Sequence, residues 1–176
     1  MTTSTPTILQ WQAEVVDQLL AADVSVAAFV PDSRLNGVLT ALSGRGVPLR
    51  SLTREEECVA YAAGARIAGK RAVVMLQSSG IGNALNALGT LAVPYRLGIP
   101  MIVSMRGTLG ETNPSQIPIG RATSPMLGSL GIQSFSLRSA DDAASMTEAV
   151  LNMAYQAGET SAVLLEPELG GQRERR

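Results

Sequence analysis

Six short apolar segments, each of strand length, alternate along the chain with longer segments of helical periodicity. The apolar segments are residues 24–30, 47–52, 71–77, 101–105, 133–135 and 162–165. Most of their side chains are apolar, and in most segments the apolar residues are consecutive rather than at every second position, which is typical of strands buried on both faces. The pattern therefore predicts an α/β fold: a doubly wound six-stranded parallel sheet with helices on both faces.

The intervening segments predict helices over residues 10–22, 35–42, 53–68, 81–97, 124–130 and 141–157, with a Gly/Pro/Thr-rich loop over residues 107–119. Gly69 is expected to follow the third helix as its C-cap. No linker or internal repeat divides the chain, so we expect a single domain over residues 1–169 and a flexible tail over residues 170–176. In sheets of this kind ligands gather at the carboxyl ends of the strands, which directs attention to residues 31–34, 53–57, 77–83 and 106–120.

Composition excludes several classes of function. The chain has no histidine, which removes Ser-His-Asp and Cys-His catalysis and histidine metal ligation. A net charge of −1 without clustered Lys or Arg argues against nucleic-acid binding. A single cysteine, Cys58, excludes an internal disulfide and is typical of a reducing compartment, and we interpret its side chain as a small buried apolar one. No secretory signal is visible, and no apolar run approaches the roughly 20 residues of a membrane span. Together these features predict a cytoplasmic protein.

Three consecutive glutamates begin the third predicted helix. Thr53 and Glu56 have the spacing of a capping box, with Thr53 as N-cap and Glu56 at N3. Three acids in a row exceed what a cap requires, however. One of them is therefore expected to face inward, where burial favours the protonated carboxyl.

A strand-turn-helix segment, residues 77–86, carries a second signal. It lacks the third glycine of a dinucleotide fingerprint, because Leu85 stands there, and no Gly-Lys-Ser/Thr follows. Two interpretations remain open. The segment is either an ordinary tight turn with Asn83 near the helix start, or a turn of small residues that lets a flat ligand lie close to the backbone.

Two further loops hold polar candidates. Asp32 follows the first strand, and it either N-caps the next helix or faces a ligand. Arg106 and Arg121 bracket the long loop, and each is suited either to an anionic substrate or to the surface. A loop of this length without secondary structure of its own is usually functional or mobile.

Taken in order, these segments resemble the alpha subunits of sulfopyruvate decarboxylases and the N-terminal part of phosphonopyruvate decarboxylases, within the thiamine-diphosphate enzymes. The resemblance runs from about Trp11 to Leu165. It is carried by Val30-Pro31-Asp32-Ser33, Thr53-Arg54-Glu55-Glu56-Glu57, Ala62-Ala63-Gly64-Ala65, Gly69-Lys70, residues 75–86 and Arg106-Gly107-Thr108-Leu109-Gly110-Glu111.

The resemblance implies a pyrimidine-binding domain with one conserved, cofactor-activating glutamate. Its distance to Ala62-Ala63-Gly64 places this glutamate at Glu55, with Glu57 as the reserve. In the family this carboxyl favours the imino tautomer of the aminopyrimidine, and the cofactor then accepts the electrons left as carbon dioxide departs from a 2-oxo acid. The resemblance further implies cofactor contacts from Pro31, Gln77, Ser78, Gly80 and Asn83, and substrate contacts from Asp32, Ser33 and Arg106.

Family members bind the cofactor diphosphate through Mg²⁺ with a Gly-Asp-Gly motif, and this sequence has none, because no aspartate follows a glycine. The resemblance therefore implies a beta subunit that carries the diphosphate and Mg²⁺ site, an α/β hetero-oligomer, and activity only in the complex. Sulfopyruvate or phosphonopyruvate is the implied substrate. The alternatives are a non-catalytic ligand-binding or regulatory subunit, or half of a thiamine-diphosphate carboligase.

Overall fold

The computed structural model describes residues 8–170. Its helices and strands follow the predicted alternation: α1 Gln10–Ala21, β1 Val26–Phe29, α2 Asn36–Gly44, β2 Leu49–Ser51, α3 Glu55–Ile67, β3 Ala72–Gln77, α4 Ile81–Ala87, β4 Pro100–Ser104, α5 Ile117–Ser129, β5 Gln133–Leu137, α6 Ala143–Tyr155 and β6 Ser161–Leu165. All six strands pair in parallel, in the order β2-β1-β3-β4-β6-β5. The predicted fold class is confirmed, while residues 1–7 and 171–176, including nearly all of the predicted tail, lie outside the described residues.

Each face of the sheet has its own apolar core. Val74 and Leu76 of β3 pack on one side with α3, α4 and α5. Val73 and Met75 of the same strand pack on the other side with α1, α2 and α6. Because both faces are covered, the central strands are apolar at nearly every position, which is the pattern seen in the sequence.

The direction of chain movement across the sheet decides which face each helix covers. The steps from β2 to β3, β3 to β4 and β4 to β5 run one way and use α3, α4 and α5 on one face. The steps from β1 to β2 and from β5 to β6 run the opposite way and use α2 and α6 on the other face. This is the arrangement that a uniform handedness of parallel crossovers requires. The direction first reverses between β1 and β3, which is where such sheets bind ligands.

Two predicted helix boundaries are wrong. The helix predicted over residues 81–97 ends as α4 at Ala87 and widens into a π-helical turn over Leu88–Ala92. It stops before Pro94, whose missing N–H group and ring disfavour a further turn. Helix α5 begins at Ile117 rather than near residue 124, because Pro118 is tolerated in a first turn. Pro125 lies inside α5 on its exposed side. The predicted loop is therefore shorter than expected.

No helix within residues 8–170 is both long enough and apolar enough to cross a membrane.

Gly98, which leads into β4, provides a test of the packing. Its φ is +56°, and a Cβ there would lie 1.9 Å from the carbonyl oxygen of Ala154. Gly69 has a similar φ of +75° but open space around it. Gly69→Ala should lower the free energy of unfolding by about 1–2 kcal/mol, because alanine would have to adopt the left-handed conformation there. Gly98→Ala should lower the free energy of unfolding by about 1–3 kcal/mol more than Gly69→Ala does, because the backbone at Ala154 would have to move. Urea unfolding of both variants measures the difference, and equal losses would contradict the described packing.

Candidate active site

The carboxyl ends of three neighbouring strands bring most of the predicted residues to one edge of the sheet. Strands β1, β3 and β4 lie side by side; Asp32 follows β1, Gln77 is the last residue of β3, and Arg106 follows β4. The amino end of α3 approaches the same edge, because this helix leads from the edge strand β2 across β1 to β3. The candidate site therefore lies around the first reversal point of the sheet.

The Glu55 side chain lies directly on Gly80. A Cβ on Gly80 would fall 2.2 Å from Cγ of Glu55 and 2.4 Å from its carboxyl carbon, so any side chain at position 80 would displace Glu55 from this position. Asn83 donates through Nδ2 to Oε2 of Glu55 over 2.9 Å. Glu55 is half-buried, whereas Asn83 is exposed. The structure thus brings together three residues that were named from the sequence and lie on two different helices and one turn.

The predicted capping box is wrong by one residue. Helix α3 begins at Glu55 with Arg54 as N-cap, so the third helical position is Glu57 rather than Glu56. Oε2 of Glu57 accepts the backbone N–H groups of Thr53 and Arg54, each over 3.0 Å. Glu56 pairs with the guanidinium of Arg54, whose hydrogen bond lowers the pKa of Glu56. Of the three glutamates, Glu55 is therefore the one that reaches the glycine turn.

A short hydrogen-bond chain connects the ends of β1 and β3. Ser79 donates from its hydroxyl to the amide oxygen of Gln77 over 2.7 Å, and the Gln77 amide nitrogen donates to Oδ2 of Asp32 over 2.7 Å. The other Asp32 oxygen accepts the backbone N–H of Arg34, which forms a turn ahead of α2. Asp32 is not the N-cap of α2, since that position belongs to Leu35.

Ser78 and Arg106 connect β3 to β4. Ser78 is fully buried, and its hydroxyl accepts the backbone N–H of Arg106 over 3.0 Å. This serine therefore supports the edge from within. Pro31 and Ser33 are exposed at the end of β1, and Arg121 is exposed on α5.

Two carboxylates that the sequence analysis did not select organise this edge. Glu111 forms a fork-to-fork pair with Arg106, with Nε–Oε2 at 2.6 Å and Nη2–Oε1 at 3.0 Å. These hydrogen bonds and backbone donors lower the pKa of Glu111 to about 2, so it is ionised at neutral pH. Glu166, directly after β6, accepts the Ser136 hydroxyl over 2.7 Å and lies 3.7 Å from Arg138. The sequence feature that could have pointed to Glu166 is that a charged residue follows directly after a buried strand.

Arg34 is a further residue of this edge that was not predicted from the sequence. Its guanidinium donates to the backbone carbonyl of Glu166, which follows β6. Because β3 and β4 separate β1 from β6, the Arg34 side chain reaches across the edge above the ends of those strands. Within residues 8–170, no three Cys, Asp or Glu side chains come together in a metal-binding group.

Cys58 lies in the core just behind Glu55 and is fully buried, which confirms the interpretation made from the sequence. Burial, followed by the charges of Glu55 and Glu57, raises the pKa of the thiol to about 12. Since only the thiolate reacts with disulfide reagents, native protein should resist 5,5′-dithiobis(2-nitrobenzoate) and react fully in urea. The chain has one cysteine, so Cys58→Ala gives the background. Stoichiometric labelling of the folded chain within minutes would contradict this environment.

Comparison with known proteins gives the family. Residues 11–106 match the family described as "Thiamine pyrophosphate enzyme, N-terminal TPP binding domain". The sulfopyruvate decarboxylase subunit alpha of Methanothermobacter thermautotrophicus is 37% identical over 146 residues, which cover 82% of this chain and 88% of that protein. The phosphonopyruvate decarboxylase of Streptomyces viridochromogenes is 33% identical over 117 residues, which cover 65% of this chain and 30% of that protein.

The fold has a counterpart among solved structures. A 2-oxoglutarate:ferredoxin oxidoreductase from Magnetococcus marinus superposes with a TM-score of 0.65 at 17% identity, covering 97% of this chain and 33% of that one. At that identity the likeness concerns the fold alone. The family match includes the glutamates of α3, the glycine turn and Arg106. This chain belongs to the thiamine pyrophosphate enzyme family, as an N-terminal TPP-binding domain.

Proposed function

We propose that this chain is the pyrimidine-binding alpha subunit of a thiamine-diphosphate-dependent 2-oxo-acid decarboxylase. The contact of Glu55 with Gly80 and Asn83, inside the segment matched by the family, is the observation that carries the proposal. The named relatives are decarboxylases, and those called subunit alpha are matched over nearly their whole length.

The residues around Glu55 fit the pyrimidine end of the cofactor. Gly80 has no side chain where Glu55 lies, Gly82 is exposed, and the nearest side-chain atom to its Cβ position is Cδ1 of Ile119 at 3.5 Å. A carboxyl beside small residues and one aliphatic wall suits a flat, nitrogen-bearing ring. Bound thiamine diphosphate would supply the electron sink for loss of carbon dioxide.

In this proposal Glu55 presents one carboxyl oxygen to a ring nitrogen and holds or releases a proton there. Asn83 restrains the other oxygen, Oε2, through its hydrogen bond. Pro31, Gln77 and Gly80 line the neighbouring strand ends, and Ser78 supports them from below. Because Gln77 is held between Ser79 and Asp32, its amide has a defined orientation.

The substrate side is assigned to Asp32, Ser33 and Arg106, all at the ends of β1 and β4. Arg106 lies near enough to Asp32 for this carboxylate to help raise the pKa of the arginine, after the larger effect of Glu111. The relatives are named for sulfopyruvate and phosphonopyruvate, 2-oxo acids with a second anionic end. We propose the same substrate class here, which a panel of 2-oxo acids assayed with both subunits would distinguish from pyruvate.

The second subunit is proposed to cover the outer face of α3 and α4. Residues 72–95 contain no charged side chain, although several of them are exposed on α4. On α3, Ala60 and Gly64 are exposed at successive turns leading away from Glu55, and Ala68, the C-cap of this helix, is exposed one turn further on. Solvent-facing helices normally carry charges, so this face suits a protein partner. That partner would bring the diphosphate and Mg²⁺ site to Glu55.

Glu55→Gln should abolish decarboxylation in the complex while leaving assembly intact. The amide keeps the shape and the contact with Asn83 but cannot exchange a proton, so the expected loss in kcat is at least about 100-fold. Steady-state assays at saturating cofactor, with gel filtration of the complex, measure both quantities.

Glu148→Gln is the matched control, because it makes the same change in an exposed residue of α6, which covers the opposite face of the sheet. It should retain near-normal turnover. Near-normal turnover in Glu55→Gln, or equal losses of kcat in both variants, would contradict the assignment of Glu55 as the cofactor-activating carboxyl.

Gly64→Lys should prevent association with the second subunit without destabilising this chain. The Cβ position of Gly64 meets nothing within 4 Å, and replacing a helical glycine favours the helix by up to about 1 kcal/mol. Gly44→Lys on α2, on the opposite face and equally open, is the control and should associate normally. Normal assembly of Gly64→Lys, measured by analytical ultracentrifugation, would refute the proposed interface.

A further inference from the structure

The carboxylate of Glu111 collects five hydrogen bonds within one short loop. Two come from the Nε and Nη2 groups of Arg106. Three come from backbone N–H groups: Gly107 over 3.3 Å, Thr112 over 3.0 Å and Asn113 over 2.9 Å. The Glu111 side chain is only 10% exposed, whereas that of Arg106 is 40% exposed. An inner carboxylate thus holds an arginine that still faces the solvent.

The backbone around this pair is closely fitted. A Cβ on Gly107 would lie 2.0 Å from the carbonyl oxygen of Gln116, and one on Gly120 would lie 1.9 Å from that of Arg106. The two ends of the loop therefore meet backbone to backbone, as in a compact Ω-loop. On its other side Arg106 is anchored through its backbone N–H to Ser78. The backbone of Arg106 is fixed by these contacts, and its long side chain is oriented by Glu111.

We infer that Glu111 is a positioning residue: it orders residues 107–113 and aims the Arg106 guanidinium, and so sets the preference for 2-oxo acids with a second anionic group. The substrate part of this inference rests on the proposed function. A guanidinium whose Nε edge is already paired can offer only its remaining N–H groups, in one direction. A guanidinium held in one orientation can bind an anionic group with defined geometry, whereas a mobile arginine on the surface cannot.

Glu111→Ala is the test, because it removes the carboxylate and leaves its five donors in place. In the isolated chain, the amides of Gly107, Thr112 and Asn113 should exchange at least about tenfold faster with solvent deuterium. The Nε–H signal of Arg106 in nitrogen-15 spectra should lose its protection. Added formate, which fits the vacated position, should restore both, whereas Glu148→Ala on the exposed face of α6 should show neither change nor formate response.

In the reconstituted complex, Glu111→Ala should raise KM for sulfopyruvate at least about tenfold, with a much smaller change in kcat and in the KM for pyruvate. Formate should lower the raised KM. Unchanged exchange, no response to formate, or equal losses for both substrates would overturn the inference. If the wild-type complex decarboxylated neither sulfopyruvate nor phosphonopyruvate, the proposed function and the substrate preference would fail together. The exchange and nitrogen-15 experiments would then decide the positioning of Arg106 by themselves.

Discussion

The close approach of Glu55 to Gly80 is the contact around which the edge of the sheet is arranged. It requires a residue without a Cβ at the end of the short turn that follows β3, and it requires the first residue of α3 to lie beside that residue. The chain meets both conditions because α3 crosses from β2 to β3 over β1, so that its amino end lies above the first reversal of the sheet. Buried Cys58 and Val59 anchor the first turn of α3 from below, and Glu57 caps it from outside. Glu55 is left as the glutamate that faces the turn.

Charge at this edge is balanced largely by local pairing. Arg106 pairs with Glu111 and Arg138 with Glu166, while Asp32 receives the Gln77 amide. Each carboxylate also accepts hydrogen bonds from other groups nearby, which makes its burial tolerable. These contacts orient the charged side chains of the edge rather than giving the edge a net charge. Loops that would otherwise move, such as residues 107–113, acquire a single arrangement because one carboxylate satisfies several of their backbone N–H groups.

The strands were predictable because burial on both faces leaves a strong signal: every position of β3 from Ala72 to Leu76 is apolar. Helix ends were less predictable. The start of α3 was misplaced because Thr53 was chosen as the N-cap. The Glu57 carboxylate accepts the backbone N–H groups of both Thr53 and Arg54, and only the path of the backbone makes Arg54 the N-cap. The start of α5 was misplaced because Pro118 was taken as a sign of a loop, although a proline in a first turn loses no helical hydrogen bond.

The sequence alone determined the parallel α/β architecture, the exclusion of histidine chemistry, and the set of segments that meet at the carboxyl ends of the strands, since hydrophobic periodicity and composition are properties of the chain itself. Only the tertiary structure decided which of three adjacent glutamates meets Gly80. It alone showed that Ser78 supports the edge from within and that Glu111 and Glu166 hold the arginines of the edge. The physical reason is that most of these roles depend on contacts between residues far apart in the sequence, such as Glu55 with Asn83 and Ser136 with Glu166. The Arg106–Glu111 pair spans only five residues, but it depends on the fold of the loop between them. No local pattern encodes the distance between two such side chains.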